Sequence, residues 1–144
     1  MVSLHAMQEH AEGLCEEHGI TWNRAAWVRK AIACREWWMI ETPLIRGPVS
    51  YAAVMHEIGH ILGRYQESRY LMTFETWAWR WARANALMWT PAMERHMVAC
   101  LAWYRPRAAK LDRIRWADNF PSIAEQMARW REEHDGLAKG SDGV

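Results

Sequence analysis

The sequence predicts a mostly helical α+β domain with a small sheet near residues 27–41. Three observations carry this. Apolar residues recur at helical spacing in several stretches, most of them opened by a capping residue or closed by glycine or proline. A run rich in aromatic residues, Glu36-Trp37-Trp38-Met39-Ile40, stops at Thr42-Pro43 and reads as a strand. No apolar run approaches the roughly 18 residues of a membrane-spanning helix.

The elements follow in chain order. Leu4, Met7, Ala11 and Leu14 lie on one face of a helix over Ser3 to His18, which Gly19 stops. Residues 21–41 mix aromatic and β-branched residues with charges, and an earlier strand or short helix is expected over Ala25 to Cys34. Pro43, Gly47 and Pro48 mark a loop. Ser50 is placed to cap a helix to about Leu62, terminated by Gly63. After an irregular Arg64 to Leu71, Thr73 is placed to cap a helix from Phe74 to about Trp89. Thr90-Pro91 opens the next helix, to about Tyr104. Pro106 breaks the chain, and Arg107 to Trp116 reads as helical. Pro121-Ser122-Ile123-Ala124-Glu125 holds a capping box for a helix to Glu133 or His134. One domain over residues 1–135 is expected, with 136–144 a flexible tail.

Composition narrows the function. The 144 residues are 51% apolar and 24% charged, a globular balance long enough to bury a real core. A formal net charge of +1 argues against nucleic-acid backbone as the main partner. Cys15, Cys34 and Cys100, odd in number and without C-x-x-C, read as small buried hydrophobes in a reducing compartment. The polar, amphipathic N-terminus lacks the features of a secretory signal, so the expected address is the cytoplasm, with no membrane.

The chemistry lies in YAAVMHEIGHILG, residues 51–63. Four residues apart on a helix, His56 and His60 stack on one face and can offer two imidazoles to one Zn²⁺. Glu57, turned about 100° from His56, sits beside the ion, where a general base for its water is useful. The pattern H-E-x-x-H therefore matches a mechanism: two ligands and one base on one helix. Gly59 costs helix stability of about 0.5–1 kcal/mol against alanine, which points to another element packed close there. Tyr51 is expected in the core.

A catalytic zinc usually takes three protein ligands. Downstream stand Glu67, Glu75, Glu94 and His96. Glu67 lies among polar loop residues and reads as a solvated charge. His96, beside Glu94 and Arg95, reads as solvent-facing. Glu75 has apolar neighbours, and a buried carboxylate needs a partner that a metal would supply. The residues favour Glu75, with Glu67 left open.

MHEIGHILG, followed by ETWAWRWA from Glu75 to Ala82, resembles the ImmA/IrrE-type zinc metallopeptidases, in particular short phage and bacterial members. The resemblance spans about residues 36–90. That family has H-E-x-x-H and then a helix patterned E-x-x-A-x-x-aromatic-A, met here by Glu75, Ala78, Trp81 and Ala82. It usually has asparagine or aspartate after the first alanine, where this chain has Trp79. The resemblance implies a zincin-like, minimal metallopeptidase domain of gluzincin type: His56, His60 and Glu75 on zinc and Glu57 as base. It implies a small sheet whose edge strand, the one read at 36–41, flanks the H-E-x-x-H helix and can pair with an extended substrate. It also implies a cytoplasmic protein substrate, with a transcriptional repressor one possibility, since several family members cleave or control helix-turn-helix repressors.

Tyr65 and Tyr70, in the loop between the two zinc-binding helices, are candidate donors to an oxyanion, although ordinary packing or a solvated loop is the favoured reading of both. Trp77 and Trp81 share a face and are expected in the core; Trp79 points elsewhere and is expected to be the exposed ring. Arg105, Arg107, Lys110, Arg113 and Arg115, with Arg129 and Arg131 further on, read as a solvated basic face interrupted by Asp112. The alternative to a peptidase is a zinc-containing, non-catalytic module that binds a protein, or nucleic acid through residues 105–115.

Overall fold

The computed structural model describes residues 1–115 and Glu132. The expected helix after Pro121, the tail, and Arg129 and Arg131 lie outside these residues. The architecture is α+β and mostly helical, with five α-helices and one three-stranded sheet among the described residues. None of those helices is long and apolar enough to cross a membrane.

α1 (Leu4–Glu17) begins at Ser3, whose hydroxyl accepts the Ala6 N–H at 3.0 Å. It ends at Gly19, whose φ of +67° suits glycine. There the N–H groups of Ile20 and Gly19 reach back to the Cys15 and Glu16 carbonyls, closing the last turn. The buried stripe is Met7, Ala11 and Cys15, and Leu4 is exposed. The apolar face is thus turned slightly from the expected one.

The sheet differs from expectation in its order. β1 (Thr21–Arg24) pairs parallel with β3 (Met39–Thr42), and β2 (Ile32–Cys34) pairs antiparallel with β3. The expected strand from Glu36 starts only at Met39, because Arg35 to Trp38 forms the turn between β2 and β3. Trp38 holds the left-handed φ of +52°, and its indole N–H donates to the His18 carbonyl at 2.6 Å. The earlier element within Ala25 to Cys34 is strand β2. β3 is the middle strand, all four of its residues buried, and not the edge. The expectation failed because β1 has the polar sequence TWNR, with no alternation to announce a strand. The edge packed beside the next helix is β2.

That helix, α2 (Pro48–Leu62), starts two residues before Ser50. Pro48 takes its first position, and the Ser50 hydroxyl reaches back to accept the Arg46 and Gly47 N–H groups. Ser50 therefore caps from inside the first turn. The helix ends at Leu62, before Gly63, as expected.

α3 (Leu71–Asn85) starts earlier than Phe74 and stops short of Trp89. Thr73 lies within it and is not its cap. The cap comes from far along the chain: Asp112 accepts the Leu71 N–H at 2.8 Å. A negative charge at a helix N-terminus also suits the helix dipole. The Asp112 that interrupts the basic run is thus placed by tertiary contact.

α4 (Pro91–Tyr104) opens with Thr90 accepting the Met93 N–H, as the Thr-Pro pair predicts. A 3-10 turn at Arg105–Arg107 leads into α5 (Ala108–Arg115). Arg105, Arg107, Lys110 and Arg113 are exposed, which agrees with a solvated basic face. Cys15 and Cys34 are buried free thiols, and Cys100 is half-buried.

The main core gathers Met7, Ile40, Tyr51, Met55, Ile58, Trp79 and Met93 from α1, β3, α2, α3 and α4. Within it, α2 and α3 pack along small residues. Gly59 faces the Ala78 backbone, where a Cβ would stand 3.0 Å from the carbonyl carbon and closer still to its oxygen. The glycine inside the helix is explained by this approach.

Candidate metal centre

α2 carries His56, Glu57 and His60, and all three are at most slightly exposed. Ligating atoms of the three lie within 4.8 Å of one another. α3 brings Glu75 across the Gly59–Ala78 seam. Its Oε2 stands 2.8 Å from His56 Nε2 and 3.4 Å from His60 Nε2. Glu57 lies on the other side of the first imidazole, 3.4 Å from His56 Nδ1.

Each imidazole is held by its surroundings. His56 stacks on Trp79, ring centroids 4.1 Å apart and planes 10° from parallel. His60 stacks on Phe74 at 4.1 Å. His60 Nδ1 also lies 2.8 Å from Gln66 Oε1. The Gln66 amide has no freedom to flip, since its nitrogen donates to the carbonyls of Arg64 and Phe74, each at 3.0 Å. Its oxygen therefore accepts from His60, which puts a proton on Nδ1 and turns Nε2 toward Glu75. A histidine that ligates through Nε2 needs this tautomer.

Electrostatics bind the group tightly. Burial alone would lower the His56 pKa; hydrogen bonds and charge from Glu57 and Glu75 override it and raise the group to about 9. Burial alone would raise Glu75; the charge of His60 and hydrogen bonds from both imidazoles hold it well below the usual carboxylate range. An ionised carboxylate and a nitrogen-rich pocket face each other in a nearly dry site.

His56, Glu57 and His60 form a group close enough to hold a metal ion, and Glu75 lies against both histidines. Ligands about 2.0–2.1 Å from a tetrahedral zinc stand about 3.3–3.4 Å from one another. The His60–Glu75 separation of 3.4 Å agrees, and the His56–Glu75 separation of 2.8 Å is that of a charge-assisted hydrogen bond.

The other expected residues fall elsewhere. Glu67 has an 88% exposed side chain and pairs with Arg35 at 3.0 Å. Glu94 accepts from Trp89 and pairs with Arg83. Tyr65 and Tyr70 are exposed, Tyr65 with its ring edge-on to Trp77 and Tyr70 beneath the Arg69 guanidinium. His96 does not face solvent: it is half-buried, 5.8 Å from the Trp79 ring and 3.6 Å from Cys100 Sγ. Trp79 is buried, and Trp77 and Trp81 are only partly so, the reverse of the expected order. The reason is Glu75: once it turns inward to the histidines, residues 78, 79 and 82 turn inward with it. Gln66 was missed, since a lone glutamine in a polar loop carries no signal until folding places it under His60.

The fold and the cluster thus define an α+β domain with a candidate metal centre between two helices. No family model, no curated protein and no solved structure matches this chain.

Proposed function

We propose that the protein is a zinc-dependent metalloendopeptidase that hydrolyses a peptide bond in a protein target. The observation that carries this reading is the Glu75 carboxylate oxygen, held within 3.4 Å of both His56 Nε2 and His60 Nε2. His56, His60 and Glu75 hold the metal in this reading, with one Glu75 oxygen set against the Nε2 of both histidines. Glu57, beside Nδ1 of His56, serves proton transfer in this reading. When bound, zinc supplies Lewis acidity to a scissile carbonyl and makes water more acidic. Glu57 takes the proton from the attacking water and returns it to the leaving amine. The edge of β2, beside α2, is where an extended substrate adds its backbone hydrogen bonds. The resemblance to ImmA/IrrE-type peptidases supports a transcriptional repressor as the target class.

The test uses purified protein and a host lysate. Metal analysis is expected to give about one zinc per chain. Wild type is expected to generate protein termini, read by mass spectrometry, that the Glu57→Gln form does not, while both keep zinc. Loss of a general base lowers turnover by about 10²–10⁴-fold. A folded, metal-free protein overturns the zinc reading. Identical termini from the two forms overturn the peptidase reading and leave a metal-containing binding module.

A further inference from the structure

Trp103 to Arg113 reads WYRPRAAKLDR, an indole followed by four cations and one acid. The backbone stays helical through this stretch. Tyr104, Arg105 and Ala108 all hold right-handed helical angles, so α4 runs through the 3-10 turn into α5 almost without a break. On such a path, positions three and four apart fall on one side. Tyr104, Ala108, Leu111 and Asp112 follow that spacing and are half-buried. Trp103, Arg105, Arg107, Lys110 and Arg113 lie on the other side and are exposed.

The fold separates the charges of this stretch. Asp112, its one acid, turns to the N-terminus of α3 and accepts the Leu71 N–H at 2.8 Å. The four cations are left together on the water side. The whole chain carries a net charge of only +1, so this excess is local. Trp103 stands at one end of it. The Arg107 guanidinium lies over the Trp103 ring, 4.2 Å from its centroid, and donates to the Trp103 carbonyl at 2.7 Å. The Tyr104 ring meets the indole edge-on at 5.2 Å. The indole is therefore held in place, yet Trp103 is 54% exposed. A fixed, exposed ring beside clustered cations offers two contacts at once: a flat surface for stacking and positive charge for phosphates.

We propose that Trp103, Arg105, Arg107, Lys110 and Arg113 form a surface that binds single-stranded nucleic acid. An unpaired base stacks on Trp103, and the neighbouring phosphates lie along the cations. A duplex keeps its bases stacked inside and gives the indole nothing to stack on. An acidic polypeptide satisfies the cations but leaves the indole unused. None of the five residues belongs to the metal centre, so the proposal stands apart from the peptidase reading.

The full chain is titrated into a fluorescein-labelled oligothymidylate, and anisotropy is followed over a series of salt concentrations. The association constant is expected to fall with salt at a log–log slope of about −3, four phosphate contacts at about −0.7 each. Lys110→Gln combined with Arg113→Gln is expected to halve that slope. Trp103→Ala is expected to bind about tenfold more weakly with the slope retained, the loss of one stacked base. All three positions are exposed, and thermal unfolding checks that the variants stay folded; the charge variant decides by itself if the loss of the indole disturbs the fold. Absence of binding, or binding that salt does not weaken, overturns the proposal. So does a folded Trp103→Ala protein that binds as tightly as wild type, or a duplex of the same length bound as tightly as the single strand. Polyglutamate or phosphatidylserine vesicles that displace the oligonucleotide at equal charge concentration show a general polyanion surface and overturn it as well.

Discussion

Gln66 Oε1 accepts the Nδ1–H of His60 at 2.8 Å, and the same amide is pinned by two backbone carbonyls. The loop after α2 thereby decides which nitrogen of a helix histidine is free to ligate. Gln66→Leu keeps the bulk but removes the acceptor and both donors. Its metal affinity is expected to fall about 10–100-fold, the usual effect of removing such a support. Competition with a chromophoric chelator measures it, and NMR of the His60 ring nitrogens reports the tautomer. Unchanged affinity means that the rings are oriented by stacking alone.

The Gly59–Ala78 contact makes a second prediction. A methyl group at Gly59 meets backbone, which cannot rotate away. Gly59→Ala is expected to cost about 1–3 kcal/mol, as overpacking does, despite alanine's better helix propensity. It should also push α3 outward and carry Glu75 away from the imidazoles. Thermal unfolding and metal content, measured together, are expected to fall together. A more stable Gly59→Ala would mean the helices do not approach so closely.

The third prediction concerns pH. In the metal-free protein His56 titrates at about 9 against an ordinary 6.5. The folded state therefore holds the extra proton, so this stabilisation is complete below about 6.5 and is lost as pH rises through about 9. Glu75 has the opposite sign: its contribution is complete above the ordinary 4.5 and is lost as pH falls through its depressed value. Metal-free protein should be most stable between these limits, and urea titrations across pH test it. Zinc needs the neutral imidazole, so binding at neutral pH should release about one proton. Calorimetry in two buffers of different ionisation enthalpy measures that count; zero release removes the imidazolium.

Asp112 supplies the fourth. It caps α3 from 41 residues away and ties α5 to the helix that carries Glu75. Asp112→Ala is expected to cost about 1 kcal/mol, as cap removal does. Asp112→Asn, which still accepts the hydrogen bond, is expected to recover most of it. Chemical denaturation of the three proteins decides; no difference among them means that α5 contributes nothing to α3.

Much of the site was legible because its signals are local. His56, Glu57 and His60 sit at fixed helical offsets, and any helix over residues 51–62 must bring the two imidazoles onto one face. Thr90-Pro91, Ser3 and the Gly19 stop act within a single turn, so their helices were placed well. Gly59 carried a long-range signal only because glycine inside a helix is costly without a reason.

Tertiary packing decided the rest. β3 became the middle strand because Thr21–Arg24, with no pattern of its own, found a partner in it. The cap of α3 came from Asp112 and not from the nearby Thr73. Trp79 was buried and Trp77 left half out because the carboxylate of Glu75 had to turn toward two imidazoles, which fixed the rotation of the whole helix. The sequence determined which groups can hold a metal on α2, since that depends on neighbours a turn apart. Which side chains support and face them depends on residues brought together over long stretches of chain, and only the folded packing specifies those distances.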